Sequence, residues 1–186
     1  MVRILDLFRS GQFEDAVELL SALGTTLSKA DIDHISGHFQ TSLREAVANN
    51  DFQSIRQVRL RTERFSLFCE SRFDPNALIP PVILPDNYDG KILLVSIGGG
   101  VIEPVVCLRS NDLHHRDILK NTEMEIMDLG LHRTRVRELG GAGVSCGADG
   151  TMCIRGGSDD FGPCDRQLAA GLIGKVHPGK SLIIEE

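Results

Sequence analysis

Four prolines fall between residues 74 and 90, in Asp74-Pro75-Asn76-Ala77-Leu78-Ile79-Pro80-Pro81-Val82-Ile83-Leu84-Pro85, and they break every apolar periodicity there. Proline has no N–H to donate and a fixed φ, so such a stretch continues neither a helix nor a central strand. It reads as an extended linker whose Leu78, Ile79, Val82 and Ile83 lie against a surface instead of floating. The chain is thereby divided near residue 80. Residues 1–80 form an α-helical N-terminal region ending in the linker, and residues 81–186 form an α/β domain.

Before the linker the apolar residues recur at helical spacing. Val2, Ile4, Leu5 and Phe8 make a short face that stops at Ser10-Gly11. Phe13, Ala16, Val17, Leu20 and Leu23 make a second, closed by Gly24 as a C-cap. Ser28 with Asp31 is spaced as a capping box, and it opens a helix through Ile35, Phe39 and Ala46. Asp51 caps a fourth helix carrying Phe52, Ile55, Val58, Phe65 and Phe68. Gly11-Gln12-Phe13-Glu14 is echoed by Asn50-Asp51-Phe52-Gln53, which suggests two similar hairpins. Two units are too few for a helical-repeat array, so a small bundle is expected. His34 and His38 share a helix face at metal-ligand spacing, but no Glu follows the first and no third ligand is evident, so they read as surface histidines. Arg56, Arg59, Arg61 and Arg64 make the fourth helix basic. A solvated face accounts for such a run, as does an acidic partner or the acidic half of the same chain.

After the linker strands alternate with helices. Lys91 to Ile97 is a nearly continuous apolar run of the kind buried on both faces. Gly98-Gly99-Gly100 turns it back into Ile102–Leu108, since no Gly-Lys-Ser/Thr is present to make a phosphate loop. A helix is expected over 111–129, then a strand from Val136 interrupted at Gly140-Gly141-Ala142-Gly143 by a bulge or bend. Hairpin strands Val144–Cys146 and Met152–Arg155 flank an Asp149-Gly150 turn. The glycine-rich loop 156–163 leads into a helix over 164–175, and His177-Pro178-Gly179 turns into a last strand, Ser181–Ile184.

The chemistry concentrates at Asp112-Leu113-His114-His115-Arg116-Asp117-Ile118. From His115, Leu119, Thr122, Ile126 and Leu129 follow a buried helical face, and Asn111 or Asp112 can cap its open end. Backbone N–H groups without helical partners and the positive end of the helix dipole receive an anion there. A histidine in that position can serve as base or nucleophile; it can also merely pack or face water.

The net charge of −6 and a pI near 5.5 give no basic footprint for nucleic acid. No signal-peptide run opens the chain and no apolar stretch reaches the roughly 20 residues of a membrane span. The 5 cysteines form an odd set without Cys-x-x-Cys spacing, which predicts reduced thiols and a cytoplasmic protein.

Residues 83–186 resemble the Janus/Ocnus family of phosphohistidine phosphatases. The resemblance is carried by Gly90-Lys91, His115-Arg116-Asp117-Ile118, Leu139-Gly140-Gly141, Ile154-Arg155-Gly156-Gly157-Ser158, Phe161-Gly162-Pro163 and His177-Pro178, in that order. It implies a small mixed sheet with two helices that hydrolyses phosphohistidine on a protein substrate without a metal or other cofactor. It puts the catalytic histidine at His115 and the phosphate-binding lysine at Lys91. Substrate-binding groups fall at Arg116, at Ser158 and at Asp160 in the second loop. Two arginines common in the family are replaced, by Cys107 and Gly143, and Asp159 and Asp160 bring negative charge into the loop. Arg109, Arg116 and Arg155 are the cations that could compensate. The same pattern suits a catalytically weak module that binds phosphate or phosphoproteins, with the N-terminal helices engaging a protein partner. Neither nucleic acid nor membrane is an expected partner.

Overall fold

Helices form before residue 73 where periodicity and capping coincide, and a mixed sheet with two further helices follows. The computed structural model describes residues 1–185. The helices are α1 (Val2–Ser10), α2 (Phe13–Leu23), α3 (Lys29–Ala48) and α4 (Phe52–Glu70). Gly11 and Gly24 close α1 and α2 in the left-handed conformation, at φ 78° and 57°. Ser28 and Asp31 form the full capping box of α3: the Asp31 N–H donates to Ser28 Oγ at 3.2 Å, and the Ser28 N–H donates to Asp31 Oδ2 at 2.9 Å. The Asp51 carboxylate accepts from the Ser54 N–H to open α4.

A 3-10 turn (Pro75–Leu78) follows, then β1 (Gly90–Gly99), β2 (Ile102–Arg109), α5 (His115–Asp128), β3 (Arg135–Cys146), β4 (Met152–Arg155), α6 (Arg166–Val176) and β5 (Leu182–Ile184). The strands make one 5-stranded sheet in the order β2-β1-β3-β4-β5. β1 with β3 and β3 with β4 are antiparallel, and β4 with β5 is parallel. The expected interruption in the glycine run is a bulge within a continuous β3: Leu94 pairs Gly140 while Val95 pairs Glu138, so Leu139 is the extra residue.

The chain packs as two units. The first comprises Met1–Ile79 with Gly100–Ile102 and Met124–Thr134; the second comprises Pro80–Gly99, Glu103–Glu123 and Arg135–Glu186. The first has an aromatic core in which Phe8 meets Phe13 and Phe65 edge-on at 5.3 and 5.2 Å, with Phe39 and Phe68 completing it. Leu78 and Ile79 are buried here, so the start of the linker is core instead of tether. The α4 arginines are also structural. Arg56 and Gln57 bind the Asp128 carboxylate, Arg61 donates to the Asp128 carbonyl, and Arg64, 3% exposed, bridges Glu125 at 2.9 Å. The basic run thus answers an acidic segment of its own unit. His34 faces the Arg9 guanidinium at 2.6 Å.

In the second unit one sheet face buries Ile92, Leu94, Ala142, Val144, Met152 and Ile154 against Ala169, Leu172 and Ile173 of α6. The rest of the linker lies on the outer edge of β2: Val82 bridges Leu108 in parallel, Ile83 N–H donates to Leu108 O, and Leu108 N–H donates to Pro81 O. None of the 5 cysteines is in a disulfide. Burial pushes the Cys69 thiol up to about 11. No helix among the described residues is long and apolar enough to cross a membrane.

Candidate functional site

The site grows from the period-two alternation of β3. Ala142 and Val144 turn into the α6 core, so Gly141 and Gly143 present the opposite face. A methyl group on Gly141 would stand 2.5 Å from His115 Cδ2 and Nε2 and 3.0 Å from Ser158 Cβ. The absence of a side chain is what lets the imidazole and the serine converge on the strand. His115 is 6% exposed, and its Nε2 lies 3.2 Å from the Ala142 carbonyl oxygen. A carbonyl only accepts, so Nε2 carries the hydrogen, and in the neutral form of the ring the lone pair is on Nδ1. Nδ1 is the ring vertex opposite the Cδ2–Nε2 edge, so it points away from Gly141.

α5 begins at His115, later than the expected residue 111. Asn111 is left-handed at φ 77° with its N–H held by the Tyr88 hydroxyl, which stops the helix extending backwards. Asp112 does not cap it. Its carboxylate accepts from the Leu113 N–H and the Asn121 amide, and the His114 carbonyl takes the first helical bonds from Asp117 and Ile118.

The second loop is more self-contained than its glycines suggest. The Ser158 and Gly162 N–H groups bond each other's carbonyls, and those of Asp160 and Phe161 donate to Ser158 Oγ at 3.3 and 3.2 Å. Four of the loop's backbone donors are therefore spent internally. Ser158 Oγ accepts twice, which leaves its O–H as the donor it can offer a ligand. Asp160 binds Arg116 at 2.6 Å, tying the loop to the first turn of α5. An anion arriving there competes with a carboxylate already in place.

Lys91 pairs across the sheet with Gly143, and Gly143 pairs with Arg155. The three lie in one row on the face where His115 stands over Gly141. Asp89, Lys91, Gly143, Arg155, Gly156 and Gly157 line a groove of about 390 Å³. Lys91 also borders a second groove of about 490 Å³, walled by Tyr88, Asp112 and the exposed Leu113. The site therefore brings His115, Ser158, Arg116 and Asp160 together at one end of the face, with Lys91 in the adjoining row.

Of the cations that could replace the two missing arginines, Arg109 is committed elsewhere. It is 2% exposed and its guanidinium donates to the Pro80 and Leu108 carbonyls. Cys107 is wholly buried. Arg155 alone of these lines the groove with Lys91, which only the strand register reveals. Among the described residues, no group of three His, Cys, Asp or Glu side chains is placed to hold a metal ion. No protein-family model matches the chain, and no curated protein matches it.

Proposed function

We propose that the second unit is a phosphohistidine phosphatase whose reacting group is His115. The observation that carries this reading is the tethered imidazole: Nε2–H is held by the Ala142 carbonyl, Nδ1 is on the ring side away from Gly141, and Ser158 and a helix start lie beside it. A phosphoramidate P–N bond cleaves readily once its leaving nitrogen is protonated, so the protein's task is to hold phosphoryl oxygens and align a nucleophile. His115 Nδ1 either takes a proton from the attacking water or forms the new N–P bond itself, which water then hydrolyses. In both routes the Ala142 carbonyl steadies the imidazolium that develops. Lys91 supplies positive charge, and the Ser158 hydroxyl supplies a directed donor. The likeness of residues 83–186 to the Janus/Ocnus phosphatases supports this assignment.

The test is turnover of a phosphohistidine-bearing protein in excess chelator, against phosphoserine and phosphotyrosine peptides. Wild type is expected to release phosphate from phosphohistidine only. His115→Ala is expected to lose about two to four decades of that activity with its circular dichroism unchanged. Near-normal turnover in His115→Ala would remove the histidine from the mechanism. The Arg116–Asp160 ion pair favours one second reading, a phosphoprotein-binding module with little turnover, because it occupies a cation the reaction would use. Phosphohistidine-protein binding at His115 and Lys91 without phosphate release would select that reading.

A further inference from the structure

We infer that Arg155, together with Lys91, grips the phosphoryl oxyanion above Gly143, an assignment that rests on the phosphatase reading for the identity of the anion. The two cations are the outer members of the row Lys91–Gly143–Arg155. Two inter-strand spacings put their Cα atoms about 10 Å apart, on the same face. Both side chains are long enough to meet over the glycine between them. Neither the Lys91 ammonium nor the Arg155 guanidinium has a hydrogen bond or ion pair with a described residue. Arg56, Arg64, Arg116 and Arg133, by contrast, each hold a carboxylate. Two unpaired cations facing one groove repel each other until an anion sits between them.

Gly143 shows that the space is kept open. A methyl group there would meet only Arg155 O at 3.6 Å and Gly90 O at 3.9 Å, which is ordinary contact, and its φ is not among the positive ones. The backbone does not require glycine at this position; its effect is to leave the floor of the groove empty. Gly141, next along the same face by about 7 Å, carries the His115 ring, so an anion over Gly143 lies one position along the face from the imidazole. Among the described residues, the negative groups nearby are Asp89, which lines the groove, Asp112 across the second groove, and Glu185, which bonds the Cys153 thiol two residues before Arg155 on β4. None of the three pairs with the two cations. Arginine also suits a tetrahedral oxyanion through its planar fork, which a point charge lacks.

The experiment titrates inorganic phosphate into the full chain at low salt, followed by NMR chemical shifts, for wild type, Arg155→Ala, Arg155→Lys, Lys91→Ala and Gly143→Leu. Arg155→Ala and Lys91→Ala are each expected to weaken phosphate about tenfold. Arg155→Lys is expected to recover part of the loss, and Gly143→Leu to weaken binding by filling the floor. Wild-type affinity in Arg155→Ala, or in Gly143→Leu with an unchanged fold, overturns the assignment. Phosphohistidine turnover is measured on the same samples. Lost phosphate binding in Arg155→Ala, with no turnover in wild type, keeps the anion seat and removes the phosphatase reading. Turnover in wild type with phosphate binding indifferent to Arg155 does the reverse.

Discussion

The arginines of α4 and the cations of the sheet face look alike in the sequence and do opposite things in the fold. Arg64 is enclosed and meets Glu125, and Arg56 and Arg61 converge on Asp128. Lys91 and Arg155 are exposed and meet no carboxylate among the described residues. A buried cation must be matched during folding or it costs several kcal/mol, whereas an exposed one is held in water at no such cost and remains available. Charge that the protein has neutralised is architecture; charge left open is what a ligand can still use.

The largest effect expected from this contrast is at Arg64. Arg64→Ala removes the buried guanidinium that bridges Glu125, itself 11% exposed, and stability is expected to fall by about 3 kcal/mol in urea unfolding. Phosphate affinity is expected to be unchanged, and a loss of affinity without a loss of stability would break the contrast. Lys91→Ala is the mirror image: anion binding weakens about tenfold, roughly 1.4 kcal/mol, with no fall in the unfolding midpoint. A midpoint several degrees lower would mean that Lys91 is structural after all. The smallest mutational effect is at Arg59, which is exposed; Arg59→Ala is expected to stay within about 0.5 kcal/mol of wild type.

Acid sharpens the contrast from the other side. Hydrogen bonds from the Ser28 side chain and backbone hold the Asp31 carboxyl below its usual 3.8, and those from Ser54 do the same for Asp51. Their folded values are depressed, so the stability they give is present above about 3.8 and is lost as pH falls through the lower folded values. Unfolding curves recorded from pH 6 down to pH 2 are expected to show that loss in wild type. Asp31→Asn and Asp51→Asn are each expected to reduce it.

The sequence conveyed local structure well and distant pairing poorly. Caps at Ser28, Asp51 and Gly24 were legible because each is settled within a few residues. The start of α5 was misjudged because a hydroxyl at Tyr88, 23 residues upstream, holds Asn111 out of the helix. The role of the basic run was undetermined for the same reason, since Arg56 and Asp128 are 72 residues apart. His115 could be singled out from its place at a helix start. That Arg155 shares a row with Lys91 depends on the register of three strands, and no spacing along the chain expresses it. The internal bonding of the Ser158 loop was equally hidden, because the glycines that allow close approach to a ligand also let the loop close on itself.

The course of the linker along β2 has a consequence for how the molecule meets others of its kind. An outer strand offers a ladder of donors and acceptors on which another chain can add a strand. On the β2 side those groups at Leu108 are already engaged by Pro81, Val82 and Ile83. The segment that engages them carries Pro80, Pro81 and Pro85, each lacking the N–H through which a further strand would attach. On the other side β5 is only 3 residues long. The prolines that divide the chain therefore also act as a guard rail, closing the Leu108 end of the sheet's longer margin against templated growth.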